Sequence, residues 1–359
     1  MFITNKYKNL KKFYIIFLVY VLFINTVLIT KSYANSFKIN EIEVSEDFDL
    51  NFDKKNVFDK AFIAAFAQLT ATIIISKDKD KIEKTNLSTI KGLIDSFNIS
   101  DEKFVKDKYF AKVNVNFNKK NAYNFFESKK IFPSIPTKLD LLMLPILVDS
   151  NKNEIIFFGE NPIYNNWNKY NQKHHLLTYI LPSEDIEDNQ VLRNNIEFIE
   201  EYKFEEIIRK YDLNNYVVSI INQNQENLNV LSKLNLNGAY KIFNNKYEGI
   251  NINDEEQLGD FIIGLKNIYE DEWKKLNLIN TSIKLPMTIS LASKDYKKIE
   301  LFEKTLENLD LVSNFLVISL SSDKIIYKVI FNGSPEKFFK EIKDAGLNLE
   351  RNNQILTIQ

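Results

Sequence analysis

The residue types that most often carry out chemistry in proteins are scarce in this chain, and the first to test are two adjacent histidines, His174 and His175. Imidazole is a common metal ligand and general base. Adjacent side chains diverge by about 100° on a helix and face opposite sides of a strand, so this pair is poorly placed to bind one ion. The pair also follows a predicted helix, where imidazole can cap free carbonyls. We interpret both histidines as helix-capping or surface residues.

An acidic run at 184–188 follows Pro182 and Ser183 and could in principle hold Ca²⁺ through several carboxylate oxygens. The run lacks the alternating oxygen ligands and the central glycine of an EF-hand loop. Serine followed by acidic residues is also typical of a helix start, where negative charge meets the positive end of the helix dipole. We therefore predict that a helix begins here.

Gly259 and Gly264 have the glycine spacing of a P-loop, but Leu265 and Lys266 follow where that motif requires Lys and Ser or Thr. Both glycines fall inside a predicted amphipathic helix, which argues against a phosphate cradle. Dinucleotide-binding, nucleophile-elbow and zinc-protease motifs are absent from the sequence.

Two further features have structural interpretations. Trp167 and Trp273 could be ligand platforms, but large aromatic residues at helical spacing are more often part of the core. The alternating lysine and aspartate residues at 77–81 predict a solvated linker. We therefore predict no catalytic residue, no cofactor-binding residue and no metal ligand, and we expect a protein that is not an enzyme and has no cofactor.

Composition supports this expectation. Among 359 residues, 47 Lys and Arg balance 48 Asp and Glu, so the formal net charge is −1. A nucleic-acid-binding protein needs a basic surface to displace counterions from phosphates, so we expect no nucleic-acid partner. The absence of cysteine excludes disulfides, thiolate metal sites and cysteine nucleophiles. An apolar fraction of 45% is sufficient for packed cores.

Residues 1–34 have the layout of a secretory signal peptide. Four lysines between positions 6 and 12 precede an apolar run at 13–22, and Ser32-Tyr33-Ala34 places small residues before a possible cleavage after Ala34. A retained membrane anchor at 13–30 is the alternative, because about 20 apolar residues span a bilayer. Both alternatives export the rest of the chain, since the positive cluster stays in the cytoplasm. We expect a periplasmic protein that contacts the membrane only through this segment, if the segment is uncleaved.

The remainder predicts an α+β fold made of three small sheet-plus-helix units. An N-terminal α+β domain is expected at 35–131. Its pattern predicts an opening strand, a helix at 58–73, a second helix at 87–97, two strands and a closing helix. Pro133 and Pro136 mark the boundary that follows, because proline breaks strand pairing and biases its predecessor to extended backbone.

A middle α/β domain is expected at 132–281. The apolar run at 139–148 predicts a strand buried on both faces. Further strands and helices alternate after it, and a long amphipathic helix at 255–276 closes the unit.

A C-terminal ferredoxin-like domain is expected at 282–359. Its elements follow the order β-α-β-β-α-β of a split βαβ unit. Ser334 and Pro335 predict the start of the second helix, and Gly346 follows its predicted end.

Six segments of the chain carry a resemblance to a known family, at residues 61–71, 141–147, 161–167, 181–188, 270–274 and 333–336. Through these segments the chain resembles a family of uncharacterised exported bacterial proteins catalogued as domain of unknown function 2066. The match at 161–167 is imperfect, because Ile163 stands where the family often has an aromatic residue. The resemblance implies an envelope protein of a Gram-negative bacterium without an established activity.

The predicted function is that of an exported, non-catalytic envelope protein that binds or scaffolds other envelope proteins. Two alternatives belong to other classes. One is a module that binds peptidoglycan or a small ligand. The other is a metal-dependent envelope hydrolase that uses the acidic run at 184–188 with His174 or His175. A hydrolase requires one of these histidines to face a pocket with carboxylates, whereas a scaffold requires an exposed apolar patch or an open sheet edge.

Overall fold

A computed structural model describes residues 37–280, 283–352 and 355–358 of the chain. The predicted signal or anchor segment at 1–34 lies outside the described residues. The described residues belong to one compact unit, Ser36–Gln359. It contains three β-sheets with flanking helices, so the predicted α+β class is confirmed. The domain boundaries predicted inside this unit stay predictions. The described helices include none that is both long and apolar enough to cross a membrane.

The first sheet is antiparallel, in the order β1-β3-β2, and is covered on one face by a 20-residue helix whose apolar side is buried against it. Asp53 caps this helix by accepting a hydrogen bond from the Lys55 backbone N–H. The elements are β1 Lys38–Asp47, α1 Lys54–Ile73, α2 Asp80–Glu83, α3 Leu87–Leu93, β2 Ile94–Val105, β3 Lys108–Phe117 and α4 Lys119–Ser128.

Two local predictions in this region are wrong. The helix predicted at 87–97 ends at Leu93, because Ile94 already pairs with Phe117 in the sheet and Phe97 packs against Phe62 of α1 with 5.0 Å between ring centroids. The linker predicted at 77–81 is instead helical, with a 3₁₀ turn at Ser76–Asp78 followed by α2. Asp78 is buried and accepts from Lys81 at 2.6 Å, so the run is part of the folded structure.

The middle sheet has six strands, and its central strand is buried on both faces as predicted. This strand runs parallel to β6 and β7. Helix α8 covers one face of the sheet, and α6 and α7 cover the other. The elements are β4 Leu139–Asp149, β5 Glu154–Ile156, α5 Pro162–Asn166, β6 Leu177–Ile180, α6 Ile186–Asn194, α7 Glu205–Arg209, β7 Tyr216–Asn224, β8 Asn227–Leu236, β9 Ala239–Tyr247 and α8 Glu255–Leu276.

Pro145 lies within the central strand, where a proline normally disrupts pairing. On one side Pro145 is opposite Ser219 of β7. On the other side β6 pairs only with 139–142 and β5 only with 147–149, so Pro145 falls in the gap between them. The buried Asn161 amide donates to the Pro145 carbonyl at 3.0 Å and fills this gap. The proline is tolerated because no strand requires its missing N–H.

The third sheet has the order β11-β12-β10-β14-β13. Ser334 caps α10, Pro335 occupies its first turn, and Gly346 follows its end with φ +85°, as predicted. The element order is one strand longer than predicted, because β13 pairs antiparallel with β14 at the sheet edge, and β14 runs parallel to β10. The elements are β10 Leu285–Ala292, α9 Tyr296–Asn308, β11 Val312–Leu320, β12 Lys324–Phe331, α10 Pro335–Asp344, β13 Leu349–Asn352 and β14 Ile355–Ile358.

The first and third sheets share one hydrophobic cluster, although they are far apart in sequence. Helix α4 joins them. Its Lys119 ammonium donates to the Glu307 and Leu309 carbonyls at 2.8 and 2.7 Å, and its Tyr123 hydroxyl donates to the Asp310 carbonyl at 2.5 Å. The middle sheet instead has a separate cluster on each face. The first and third sheets therefore form a shared core beside the middle layer.

Candidate functional site

The densest group of buried ionisable side chains in the described residues lies along α8. Lys266, Glu270 and Lys274 follow one another at four-residue spacing, so they lie on the same side of the helix. All three side chains are buried. Each comes one position after an apolar residue that packs on the middle sheet, and these apolar residues form the apolar stripe of α8 (Leu265, Tyr269 and Trp273). Buried charges are costly unless they are paired or hydrogen-bonded, so the partners of these three groups decide what the cluster can do.

Glu270 binds the chain segment that enters β6. Its carboxylate accepts backbone N–H groups from Leu176, at 3.0 and 3.1 Å, and from Leu177, at 2.9 Å. Burial raises the pKa of Glu270, while these N–H groups and the two neighbouring lysines act in the opposite direction. The carboxylate is therefore engaged in holding the backbone, which leaves it poorly placed to serve as a general base.

Lys266 is enclosed by aromatic rings. Its Nζ lies 5.4 Å from the ring centroid of Trp167 and 4.9 Å from that of Tyr179, and it donates to the Asn171 side-chain oxygen at 2.5 Å. Burial lowers the pKa of Lys266 to about 8. Cation–π attraction to two ring faces offsets part of the desolvation cost of the ammonium. The contacts identify Lys266 as a residue that joins α8 to the segment before β6.

Lys274 and Asp271 connect α8 to the end of α1. The Lys274 ammonium donates to the carbonyls of Ala71 and Ile74 at 2.5 and 3.2 Å, which places a positive charge at the negative end of that helix. Asp271 accepts the Ser76 backbone N–H at 2.9 Å. Burial lowers the pKa of Lys274 to about 8. Helix α1 has no basic residue in its own last turn, so α8 supplies the missing cap.

The two histidines lie beside this cluster, half-buried, in the turn before β6. Their rings form an edge-to-face pair with centroids 4.9 Å apart. The His175 Nδ1 accepts the Gln172 backbone N–H at 3.2 Å, so neutral His175 carries its proton on Nε2. The predicted role as a carbonyl cap or surface group is wrong for His175, because its ring is partly enclosed and binds an N–H group.

Electrostatics keep both imidazoles neutral. Burial lowers the pKa of His174 to about 4 and that of His175 to about 3, and the positive charges of Lys274 and Lys79 act in the same direction. A histidine that cannot gain a proton near neutral pH is a poor general base. Within the described residues no group of three or more His, Asp or Glu side chains could hold a metal ion. The hydrogen bonds of Glu270, Lys266 and Lys274 connect α8 to α1 and to the segment that leads into β6.

The acidic run at 184–188 starts a helix, as predicted. Asp185 is the N-cap of α6 and accepts from the Glu187 and Asp188 backbone N–H groups. The Lys210 ammonium lies 2.7 Å from a carboxylate oxygen of Asp185 and 2.7 Å from one of Asp188. The Lys210 ammonium therefore occupies the position of a cation that would bridge Asp185 and Asp188. These acidic residues and the two histidines have separate partners.

The remaining candidates from the sequence are structural. Gly259 and Gly264 lie inside α8, as predicted. Trp167 and Trp273 are buried in the core of the middle layer, also as predicted. The Trp273 indole N–H donates to the Thr137 carbonyl at 2.6 Å.

An exposed apolar sheet edge is a candidate binding surface that the sequence pattern did not single out. Strand β11 is at the end of the third sheet, and the side chains of Leu316, Val317, Ile318 and Leu320 are exposed there, Leu320 to 72%. The order β-α-β-β-α-β predicted a strand here, but alternating or continuous apolar residues do not indicate whether another element covers them. Val312–Leu320 contains no charged residue. Large exposed apolar residues in a row are typical of binding surfaces.

Two other surface features are weaker candidates. Phe48, Leu50 and Phe104 are exposed at one end of the first sheet, where the ring centroids of Phe48 and Phe104 are 4.9 Å apart. A cleft of about 190 Å³ on the first sheet is lined by mixed charges that include Glu43 and Lys112. Its volume is below the roughly 300 Å³ at which ligand pockets usually begin.

Comparison with known proteins gives no family assignment. The chain matches no family model, and no curated protein is similar to it in sequence. The resemblance to domain of unknown function 2066 stays a prediction.

Proposed function

We propose that this chain is an exported, non-catalytic protein of the bacterial envelope that binds other envelope proteins, and that β11 is its main binding surface. The exposed apolar edge of β11 carries this proposal. An edge strand offers outward N–H and C=O groups to an incoming strand, and the exposed side chains of Leu316, Val317 and Ile318 add apolar area beside them.

The non-catalytic part is supported by the partners of the buried ionisable groups. Glu270, Lys266 and Lys274 all bind backbone or side-chain groups of neighbouring segments. The positive charges of Lys274 and Lys79 disfavour the protonated form of both histidines. This arrangement favours a binding protein over the metal-dependent hydrolase considered from the sequence.

Export is supported by the layout of residues 1–34. The test is cell fractionation with N-terminal sequencing in a Gram-negative host. We expect periplasmic protein that begins at Asn35, or full-length protein in the inner membrane if the segment is an anchor. Full-length protein in the cytosol would contradict export.

Binding is tested by cross-linking in intact cells. The natural chain lacks cysteine, so Leu320→Cys places a single thiol at the exposed end of β11. A thiol-directed photo-cross-linker on this residue should capture envelope proteins that mass spectrometry identifies. Ile242→Cys on β9 is the matched control, because Ile242 is also an exposed apolar residue on an edge strand. Equal capture from both positions, or none from Leu320→Cys, would contradict β11 as the binding surface.

A further inference from the structure

The outer edge of β11 has the properties of a strand that can pair with another strand. Within the described residues β11 pairs with β12 alone, and it is the last strand on its side of the sheet. The edge is exposed from Leu316 to Leu320, whereas Val312 at its start is buried in the shared core. The part of β11 that a partner strand could reach is therefore about as long as one short strand. Its other end is fixed in the shared core by Val312.

The devices that usually protect an edge strand are largely missing here. Natural edges are blocked by charged residues, by proline or by an overlying helix. Strand β11 has neither proline nor a charged residue, and its last five side chains are exposed. A register shift between Val317 and Ser319 leaves an irregularity near Ile318, but the pairing with β12 continues through Leu320.

We propose that the partner of this edge is a second copy of the same chain, with the two β11 strands antiparallel about a two-fold axis. The inference rests on the proposed function, because it uses the same binding surface, and it adds a second copy of the chain to the envelope proteins that this surface binds. A two-fold interface brings identical surfaces together, so each surface must be complementary to itself. Such a dimer would join two five-stranded sheets into one continuous sheet.

Charge is what favours a second copy. When a strand pairs with the same strand of a second copy, both strands carry the same charges. Like charges directly opposite one another are destabilising. Edge strand β9 contains Lys241 and Lys246 without an acidic residue, and β1 contains four acidic residues against one lysine. Strand β11 brings no charge to the pairing. The formal net charge of −1 adds little repulsion between whole molecules.

The proposal is tested by disulfide trapping of the full-length protein in cells. Single-cysteine variants Leu316→Cys, Val317→Cys and Ile318→Cys are treated with an added oxidant, and the product is measured on a non-reducing gel. In an antiparallel self-pair, one of these positions near the axis faces its own copy. We therefore expect a covalent product of twice the chain mass at one or two of the three positions, and none with Ile242→Cys on β9.

A charge substitution provides an independent measurement. Ile318→Lys is expected to raise the dimer Kd by roughly tenfold or more, because each copy brings a lysine to the same interface. Sedimentation equilibrium of the purified protein measures this change, and Ile242→Lys should leave the Kd unchanged. Circular dichroism checks that both variants fold, which is expected because both side chains are exposed.

The outcomes separate this proposal from the broader one. Absence of a doubled product at all three positions would overturn the self-paired dimer. If Leu320→Cys still captures other envelope proteins in that case, the proposed function stands. If neither the doubled product nor a captured protein is found, both proposals are wrong. If Ile242→Cys gives the product of twice the chain mass at the same level, the disulfides form by random collision between molecules. That result would also overturn the dimer.

Discussion

Glu270 combines two tasks in one buried carboxylate. It satisfies the backbone N–H groups of Leu176 and Leu177, and it lies one helical turn from a buried lysine on either side. Removing such a group leaves donors unsatisfied and positive charges without compensation. The role of Glu270 depends on the segment that it binds at Leu176 and Leu177. The sequence of α8 alone does not distinguish it from an exposed helix glutamate.

We predict that Glu270→Ala lowers the free energy of unfolding by about 3–5 kcal/mol, the usual cost of breaking a buried charged interaction. Glu270→Gln should cost less, because the amide oxygen can still accept one of the N–H groups. Urea denaturation followed by circular dichroism measures both values. Glu256→Ala, an exposed glutamate of the same helix, should change stability by less than about 0.5 kcal/mol. A similar cost for Glu256→Ala and Glu270→Ala would contradict the assignment.

The histidine pair predicts a particular pH dependence. The pKa of His174 is lowered from 6.5 to about 4 and that of His175 from 6.5 to about 3, so the unfolded chain binds these protons first as pH falls. Stability contributed by the neutral imidazoles is therefore full above about pH 6.5 and is lost progressively as the pH falls, down to about pH 4 for His174 and about pH 3 for His175.

The measurement is a series of urea midpoints across this pH range. The wild type should lose more stability between pH 6.5 and pH 4 than His174→Gln/His175→Gln, which has no imidazole to titrate. NMR of the two imidazole carbons should show no titration above about pH 5. Identical pH profiles for the two proteins, or an imidazole that titrates near pH 6.5, would show that the rings are solvated.

At the scale of elements, α8 illustrates how one helix can serve two purposes. Its apolar stripe covers the middle sheet, and its charged row reaches α1 and the turn before β6. Gly259 marks the point where α8 approaches the 3₁₀ turn Trp167–Tyr170. A Cβ added at Gly259 would lie 2.7 Å from the Tyr170 ring, whereas one added at Gly264 would meet nothing within 4 Å.

The two glycines should therefore respond in opposite directions. Gly259→Ala should lower the free energy of unfolding by about 1–3 kcal/mol, because the Tyr170 ring is held by its hydroxyl bond to the Glu255 carbonyl and must move. Gly264→Ala should raise it by about 0.5–1 kcal/mol through helix propensity. Thermal unfolding of both variants is the measurement. A stabilising Gly259→Ala would show that the close contact is absent.

At the scale of the whole molecule, the first and third sheets are expected to unfold together, because one hydrophobic cluster contains residues of both. Phe338 on α10 and Phe126 on α4 are both fully buried in it. Because the two sheets share this cluster, a packing defect in one sheet should also destabilise the other. Two independent domains would not behave in this way.

Phe338→Ala should lower the free energy of unfolding by about 3–5 kcal/mol. It should also reduce the hydrogen-exchange protection of α4 in the first layer, measured by mass spectrometry on the folded protein. The exposed neighbour Lys337→Ala should change stability by less than about 0.5 kcal/mol and leave protection unchanged. Loss of protection confined to the third sheet would show that the two layers are independent domains.

The elements that the sequence predicted well are those specified by near neighbours. Three predicted features depend on residues within one or two turns: the periodic apolar face of α8, the helix start in the acidic run at 184–188, and the start of α10 at Ser334-Pro335. The absence of cysteine likewise follows from the sequence alone and excludes thiol chemistry.

Tertiary structure decided which of those residues became buried, exposed or paired. Ile94 joined a strand because β3 offered it backbone partners, and Lys266 became buried because Trp167 and Tyr179 came to lie over it. The exposure of β11 was decided in the same way. An apolar pattern in the sequence indicates which side chains are stabilised by removal from water. Whether they are buried depends on whether a segment that is distant in sequence packs on them. No segment of the described chain covers the end of β11.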